Sequence, residues 1–204
     1  MDHAEQRPVV ASETQFVGRV WSVRTDTVRL DDFTEVVRDV LVHPGAVGIV
    51  ALDDSDRMLL IRQYRHAAGS MLWEAPAGLL DVDGEPALAC AKRELWEETG
   101  YLADTWHVLV DYWNSPGGST EAFRCYLARN LLPAPGGRPP GAAEECDLPI
   151  TWVPLADVVG SIHAGELTNP TTVIGALAAE SARISGWRTL RPADASWPAR
   201  PDRA

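Results

Sequence analysis

Glu94 and Glu98 stand four positions apart in the run Arg93-Glu94-Leu95-Trp96-Glu97-Glu98, so on a helix their carboxylates stack on one face. At about 100° of turn per residue, Leu88, Ala91 and Leu95 gather on the core-facing side, and Glu98 projects almost where Ala91 does. A carboxylate bordering an apolar stripe is costly to bury unless a cation or hydrogen bonds compensate it. The small Ala87 and Ala91 leave room beside the pair for such a cation. Arg93 and Glu97 form a second i,i+4 pair around the helix, placed to brace it or to orient a neighbouring carboxylate. Hard oxygen ligands of this kind suit a hard divalent cation such as Mg²⁺. An isolated string of this type is usually a solvated charged face, so its surroundings decide.

The helix that carries these acids is predicted from Pro86 to Thr99. Proline suits a first turn, where its missing N–H costs nothing, and Gly100 suits the left-handed position past a helix end. Pro76 and Gly78 break the chain before it, and Leu79 to Gly84 forms a loop. Two apolar runs, Ala46 to Leu52 and Met58 to Ile61, flank Asp53-Asp54-Ser55-Asp56 and predict a hairpin of core strands. Strands are expected near His107–Trp113 and Ala122–Ala128, followed by a Pro/Gly-rich, mobile surface loop from Pro133 to Pro149. Asn169-Pro170 opens a closing helix with Val173, Leu177, Ser181 and Ile184 on one face. At the N-terminus, Phe16 to Val42 is rich in β-branched residues and reads as a small β-meander. The domain reading is a meander over residues 1–44, a main domain over 45–187, and a loosely ordered, proline- and arginine-containing tail over 188–204.

With 204 residues, 46% of them apolar, the chain can bury a sizeable core. A net charge of −11 argues against nucleic-acid or acidic-membrane partners. A phosphate compound can still bind if metal ions and a few arginines reverse the field locally. The first fifteen residues are polar and acidic, unlike a secretion signal, so the expected location is cytoplasmic. Cys90, Cys125 and Cys146 are odd in number and far apart, which points to reduced, packed thiols and to no structural zinc. The histidines are scattered without ligand spacing, and no nucleophile elbow, Walker loop or dinucleotide fingerprint occurs.

Together Gly78, Glu85, Arg93, Glu94, Leu95, Glu97, Glu98, Gly100 and Tyr101 resemble the Nudix box. One departure is a loop between Gly78 and Glu85 one residue longer than the family's common pattern. The resemblance implies an α/β Nudix fold, a mixed β-sheet sandwiched between helices. It also implies that Glu94 and Glu98 are the principal Mg²⁺ ligands, with Mn²⁺ as an alternative metal, that Ala77 adds its backbone carbonyl, and that Glu85 and Glu97 assist. Gln63-Tyr64-Arg65 and Trp73-Glu74-Ala75-Pro76-Ala77-Gly78 resemble the ADP-ribose pyrophosphatase branch, in which Arg65 would contact phosphate and Glu74 belongs to the substrate-binding set. Pro116, sixteen residues after Gly100, matches the proline that marks this branch, an ordinary turn being the other reading. The N-terminal antiparallel β-meander resembles a sheet exchanged in a homodimer. There Arg38 would reach substrate, and Trp21 would stack on adenine or serve as a buried or interface aromatic. Within Glu144-Glu145, Glu145 is the favoured base for the attacking water, against two solvated loop acids. The implied reaction is Mg²⁺-dependent hydrolysis of ADP-ribose to AMP and ribose 5-phosphate. Alternatives are another nucleoside diphosphate sugar, such as GDP-mannose or ADP-glucose, or a non-catalytic ADP-ribose sensor.

Overall fold

The computed structural model describes residues 3, 5–139 and 148–198. At the N-terminus β1 (Val9–Val17), β2 (Ser22–Arg29) and β3 (Glu35–Val42) form the expected antiparallel meander. It begins at Val9 rather than Phe16, because β1 is exposed along its whole length and carries no inside-outside alternation to read. Asp26 is buried within this sheet, where it accepts hydrogen bonds from the Ser12 hydroxyl at 2.6 Å and Arg24 Nε at 2.9 Å.

The chain then continues through β4 (Ala46–Ala51), β5 (Arg57–Arg65), β6 (Ser70–Glu74), β7 (Ala77–Leu79), α1 (Ala87–Thr99), β8 (Tyr101–Trp113) and β9 (Ala122–Pro133). It closes with β10 (Ile150–Pro154), α2 (Leu155–His163), α3 (Pro170–Ile184) and β11 (Arg191–Pro192). Two compact units result. Of the described residues, one comprises those within 3–45, 112–123 and 196–198; the other comprises 46–111, 124–139 and 148–195. In the first unit, the hairpin tip joins the meander through Leu41, whose N–H donates to Gly118 O and whose carbonyl accepts from Thr120 N.

In the second unit the strand orders are β11-β8-β9-β4-β7 and β10-β5-β6. α1 packs on β4 and β7, while α3 packs on β4 and β6, so sheet lies between helices. Accordingly β4 is buried at every position and reads as a continuous apolar run. Val50, Leu52, Met58, Leu60, Cys125, Leu127 and Leu155 form the centre of the core.

α3 corrects the sequence reading. Leu177 and Ile184 are exposed, and the buried face is Thr172, Gly175, Ala176, Ala179 and Ala182. Small residues let the helix approach the sheet closely: a Cβ on Gly175 would lie 2.8 Å from a Val50 methyl and 3.1 Å from Cys125 Sγ. After Arg188 the chain is tied down as far as Ala195, whereas residues 199–204 of the expected tail lie outside the described ones. Arg191 pairs with Val108 in the sheet and its guanidinium reaches Asp111, while Arg124 forks onto Asp111 and donates to Ala195 O. Two buried or half-buried arginines sharing one aspartate outweigh a composition that predicts a tail.

Candidate active site

The helix α1 begins one residue later than read, with Pro86 as its N-cap, and stops where Gly100 takes φ 73° and donates its N–H to Trp96 O. Cys90, Ala91, Leu95, Glu98 and Thr99 face inward. Glu98 is 4% exposed, and its Oε2 accepts the Ala77 N–H at 3.0 Å. That bond ties the buried end of the acid helix to β7, the element from which a backbone ligand was expected.

Glu94 lies over the same strand. A Cβ on Gly78 would fall within the volume of the Glu94 carboxylate, so only glycine lets this side chain pass. The glycine at 78 is therefore required for space rather than for a turn.

Arg93 organises the remaining acids. Its Nε and Nη2 fork onto Glu85 at 2.9 Å each, and Nη1 donates to Glu94 at 2.6 Å and to Glu97 at 3.0 Å. The guanidinium beside Glu85 holds that carboxyl below its ordinary value against the opposing effect of burial. Burial pushes the Cys90 thiol up to about 12, with the Glu94 charge adding, so this cysteine stays a protonated thiol. Cys125 is likewise buried and free.

From β5 and β6 comes a second guanidinium–carboxylate pair. Glu74 is 1% exposed and accepts Arg65 Nε at 2.9 Å and Nη2 at 2.6 Å. Glu74 in turn raises the arginine's pKa, and the nearby Glu98 charge adds to the effect. Arg65 Nη1 makes no hydrogen bond among the described residues. The strand-to-strand turn between Glu74 and Ala77 is anchored from behind: Ala75 N–H donates to the hydroxyl of fully buried Thr172 at 2.8 Å. Asn169, which caps α3, holds that same hydroxyl at 3.2 Å and the Thr172 N–H at 3.0 Å.

This wall thus carries Glu74, Glu85, Glu94, Glu97 and Glu98 against Arg65 and Arg93, a surplus of three negative charges. Among the described residues no three His, Cys, Asp or Glu side chains meet at one point fit to hold an ion; here Arg93 stands between Glu85, Glu94 and Glu97. The donors are nonetheless all hard oxygens in charge excess, which suits a small divalent cation and not a soft one.

The remaining sequence-selected residues fall elsewhere. Trp21, Arg38 and Pro116 belong to the first compact unit. Trp21 is exposed in the turn after β1, its ring 5.9 Å from Phe16, and so is no core residue of this chain. Arg38 is exposed on β3, and among the described residues its guanidinium donates only to Val37 O. Pro116 occupies a turn closed by Gly118 N–H to Ser115 O at 3.1 Å. Glu144 and Glu145 lie outside the described residues, as does Cys146. The start of the Pro/Gly segment is anchored, with Ala134 N–H on Gly100 O and Gly137 O accepting Trp96 Nε1. The Thr172 anchor was missed by sequence reasoning, since nothing local links a helix-start threonine to a backbone amide 97 positions earlier.

A NUDIX domain profile matches residues 42–172. The ADP-ribose pyrophosphatase of Mycobacterium tuberculosis is 43% identical over 192 residues, covering 94% of this chain and 91% of that protein. A GDP-mannose pyrophosphatase of Citrobacter koseri is 31% identical, covering 70% of this chain and 81% of its own. A crystal structure of an ADP compounds hydrolase superposes with a TM-score of 0.75 over 91% of this chain and 99% of that one, at 23% identity, and so bears on the fold alone.

Proposed function

The chain belongs to the NUDIX family, and on that premise we propose that it hydrolyses the diphosphate of ADP-ribose to AMP and ribose 5-phosphate, with Mg²⁺ as its cation. The observation that carries this reading is the acid wall, where a 4%-exposed Glu98 and a Glu94 seated on Gly78 meet one strand in a region of net negative charge. Such a surplus of carboxylates repels a diphosphate unless cations stand between them.

Glu94 and Glu98 would hold the metal with the Ala77 carbonyl, and Glu85 and Glu97 would assist through the orientation that Arg93 imposes. When bound, the divalent ion neutralises the diphosphate oxygens and acidifies water. Arg65 uses the donor that its fork to Glu74 leaves over to hold a phosphate oxygen. Glu145 takes a proton from the attacking water. A bond forms from the water oxygen to phosphorus, the bond from phosphorus to the bridging oxygen breaks, and the second phosphate leaves as the oxyanion. The proton passes from Glu145 to solvent.

A homodimer completes the site. The meander leaves Val17, Phe33 and Val37 exposed on a single chain, which suits coverage by a second copy. Arg38 and Trp21 of that element then serve as phosphate and adenine contacts, and Pro116 shapes its own loop for substrate. The cytoplasm is the proposed location, and among the described residues no helix is long and apolar enough to cross a membrane.

Similarity to a GDP-mannose pyrophosphatase supports a second reading, the same chemistry on another nucleoside diphosphate sugar. A panel of ADP-ribose, ADP-glucose and GDP-mannose with Mg²⁺, scored by AMP or GMP release, separates the two. The largest kcat/KM is expected for ADP-ribose; GDP-mannose turning over while ADP-ribose stays intact would overturn the first reading.

A further inference from the structure

Gln63 lies on β5 opposite Leu72 of β6, two residues from Arg65. Alternation along β5 puts Gln63 and Arg65 on the same face, while Arg62 and Tyr64 point the other way and are exposed. The Arg62 guanidinium over the Trp73 ring at 5.7 Å fixes that opposite face. Arg65 pairs with Ser70 and Glu74 with Ile61, so the fork between Arg65 and Glu74 spans four residues of sheet. At about 3.3 Å per residue the arginine side chain runs back across the Gln63–Leu72 pair to reach its carboxylate. Gln63 therefore lies on the same sheet face as the guanidinium assigned to phosphate and next to it.

Its carboxamide oxygen is buried and has no hydrogen-bond partner among the described residues. Folded proteins satisfy the large majority of such atoms, because a buried acceptor without a donor is destabilising. Leu72 opposite offers no donor, and Arg65 commits Nε and Nη2 to Glu74. A diphosphate at neutral pH has no N–H or O–H to give either. The groups next to it in a nucleoside diphosphate sugar do, since both flanking sugars carry hydroxyls.

We propose that Gln63 is a further substrate-binding residue, whose part-buried side chain turns its carboxamide oxygen outward to accept a hydrogen bond from a sugar hydroxyl of the nucleoside diphosphate sugar beside the phosphate that Arg65 holds. The assignment rests on the ADP-ribose reading above and adds to it an acceptor specific for a hydroxylated sugar. It also makes a statement about the free protein: the atom costs stability until substrate arrives.

Gln63→Leu keeps the shape and removes the carboxamide, so two measurements on it decide the matter. Thermal melting without substrate should show a midpoint about 2–4 °C above the wild type, because an unsatisfied buried polar group is gone. Steady-state AMP release should show KM for ADP-ribose raised roughly tenfold with kcat within about threefold, the pattern of lost binding rather than lost chemistry. Analogues of ADP-ribose lacking single ribose hydroxyls should include one that the wild type handles about tenfold worse than ADP-ribose, and that the variant handles as well as it does ADP-ribose. A lowered melting point, meaning the amide is satisfied within the free protein, or an unchanged KM would overturn the assignment while leaving the ADP-ribose reading intact. No AMP release by the wild type would overturn that reading and the Gln63 role with it.

Discussion

Arg93 binds three carboxylates at once, and each bond has a different consequence. The fork to Glu85 stabilises the loop before α1, whereas the bonds to Glu94 and Glu97 fix side chains on the helix itself. Glu85 is held below its ordinary value of 4.5 chiefly by the Arg93 hydrogen bonds. Its folded pKa is thus lower than its unfolded one, so its contribution is complete well above pH 4.5 and is lost as pH falls through the lowered value. Glu85→Gln should therefore lower stability by about 1–2 kcal/mol at pH 7, and the gap to wild type should close as melts are run from pH 5 down to 3. Gly78 offers a sharper separation of fold from chemistry. Alanine there collides with the end of the flexible Glu94 side chain and not with backbone, so the chain folds while the carboxylate moves. Gly78→Ala should keep most of its thermal stability yet lose about 10- to 100-fold in apparent metal affinity, measured by Mg²⁺ titration of activity. Equal losses in both would place the glycine's role in packing alone.

At the scale of elements, the site depends on how β6, β7 and α3 are joined. Thr172 accepts the Ala75 N–H between the two strands that carry Glu74 and Ala77, and Asn169 holds the hydroxyl in place. Thr172→Val is nearly isosteric and leaves that amide unsatisfied, which should cost about 1–3 kcal/mol and lower kcat about tenfold as the turn shifts. Thr172→Ser should restore most of the rate; failure of serine to do so would remove the hydroxyl from the account. Much of this framework was legible in the chain. Glu94, Glu98 and Gly100 gave α1 its face and its end, and Ala46–Leu52 gave a buried strand. The face traced by Val173, Leu177, Ser181 and Ile184 is not the buried face of α3, because close approach to Val50 and Cys125 selects Gly175 and the alanines instead. β10 and α2 escaped notice because a five-residue strand and a nine-residue helix after a Pro/Gly-rich stretch carry little periodicity. Gln63 could be placed in a motif, but only burial shows that its oxygen lacks a partner.

For the molecule as a whole, the meander is the element least explained by a single chain. β1 is exposed throughout, Phe33 is 98% exposed and Val17 74%. A strand exposed on both faces invites a partner, and resemblance at the sequence level had pointed to a homodimer. Sedimentation velocity at micromolar concentration should give a species of about 44 kDa, twice the 22.2 kDa chain, and Val17→Asp with Val37→Asp should shift it toward monomer. A monomer for the wild type would leave Arg38 and Trp21 without the role proposed for them.

The central claim is that Glu94 and Glu98 make a divalent-metal site that cleaves a diphosphate. ³¹P NMR of ADP-ribose incubated with the wild type, Glu94→Gln and Glu98→Gln, each with Mg²⁺ and with a chelator, tests it most directly. AMP and ribose 5-phosphate are expected from the wild type with Mg²⁺, none with chelator, and at least about a 100-fold slower reaction for either variant despite an unchanged fold. Wild-type rates from Glu94→Gln and Glu98→Gln, or cleavage that persists in chelator, would contradict it.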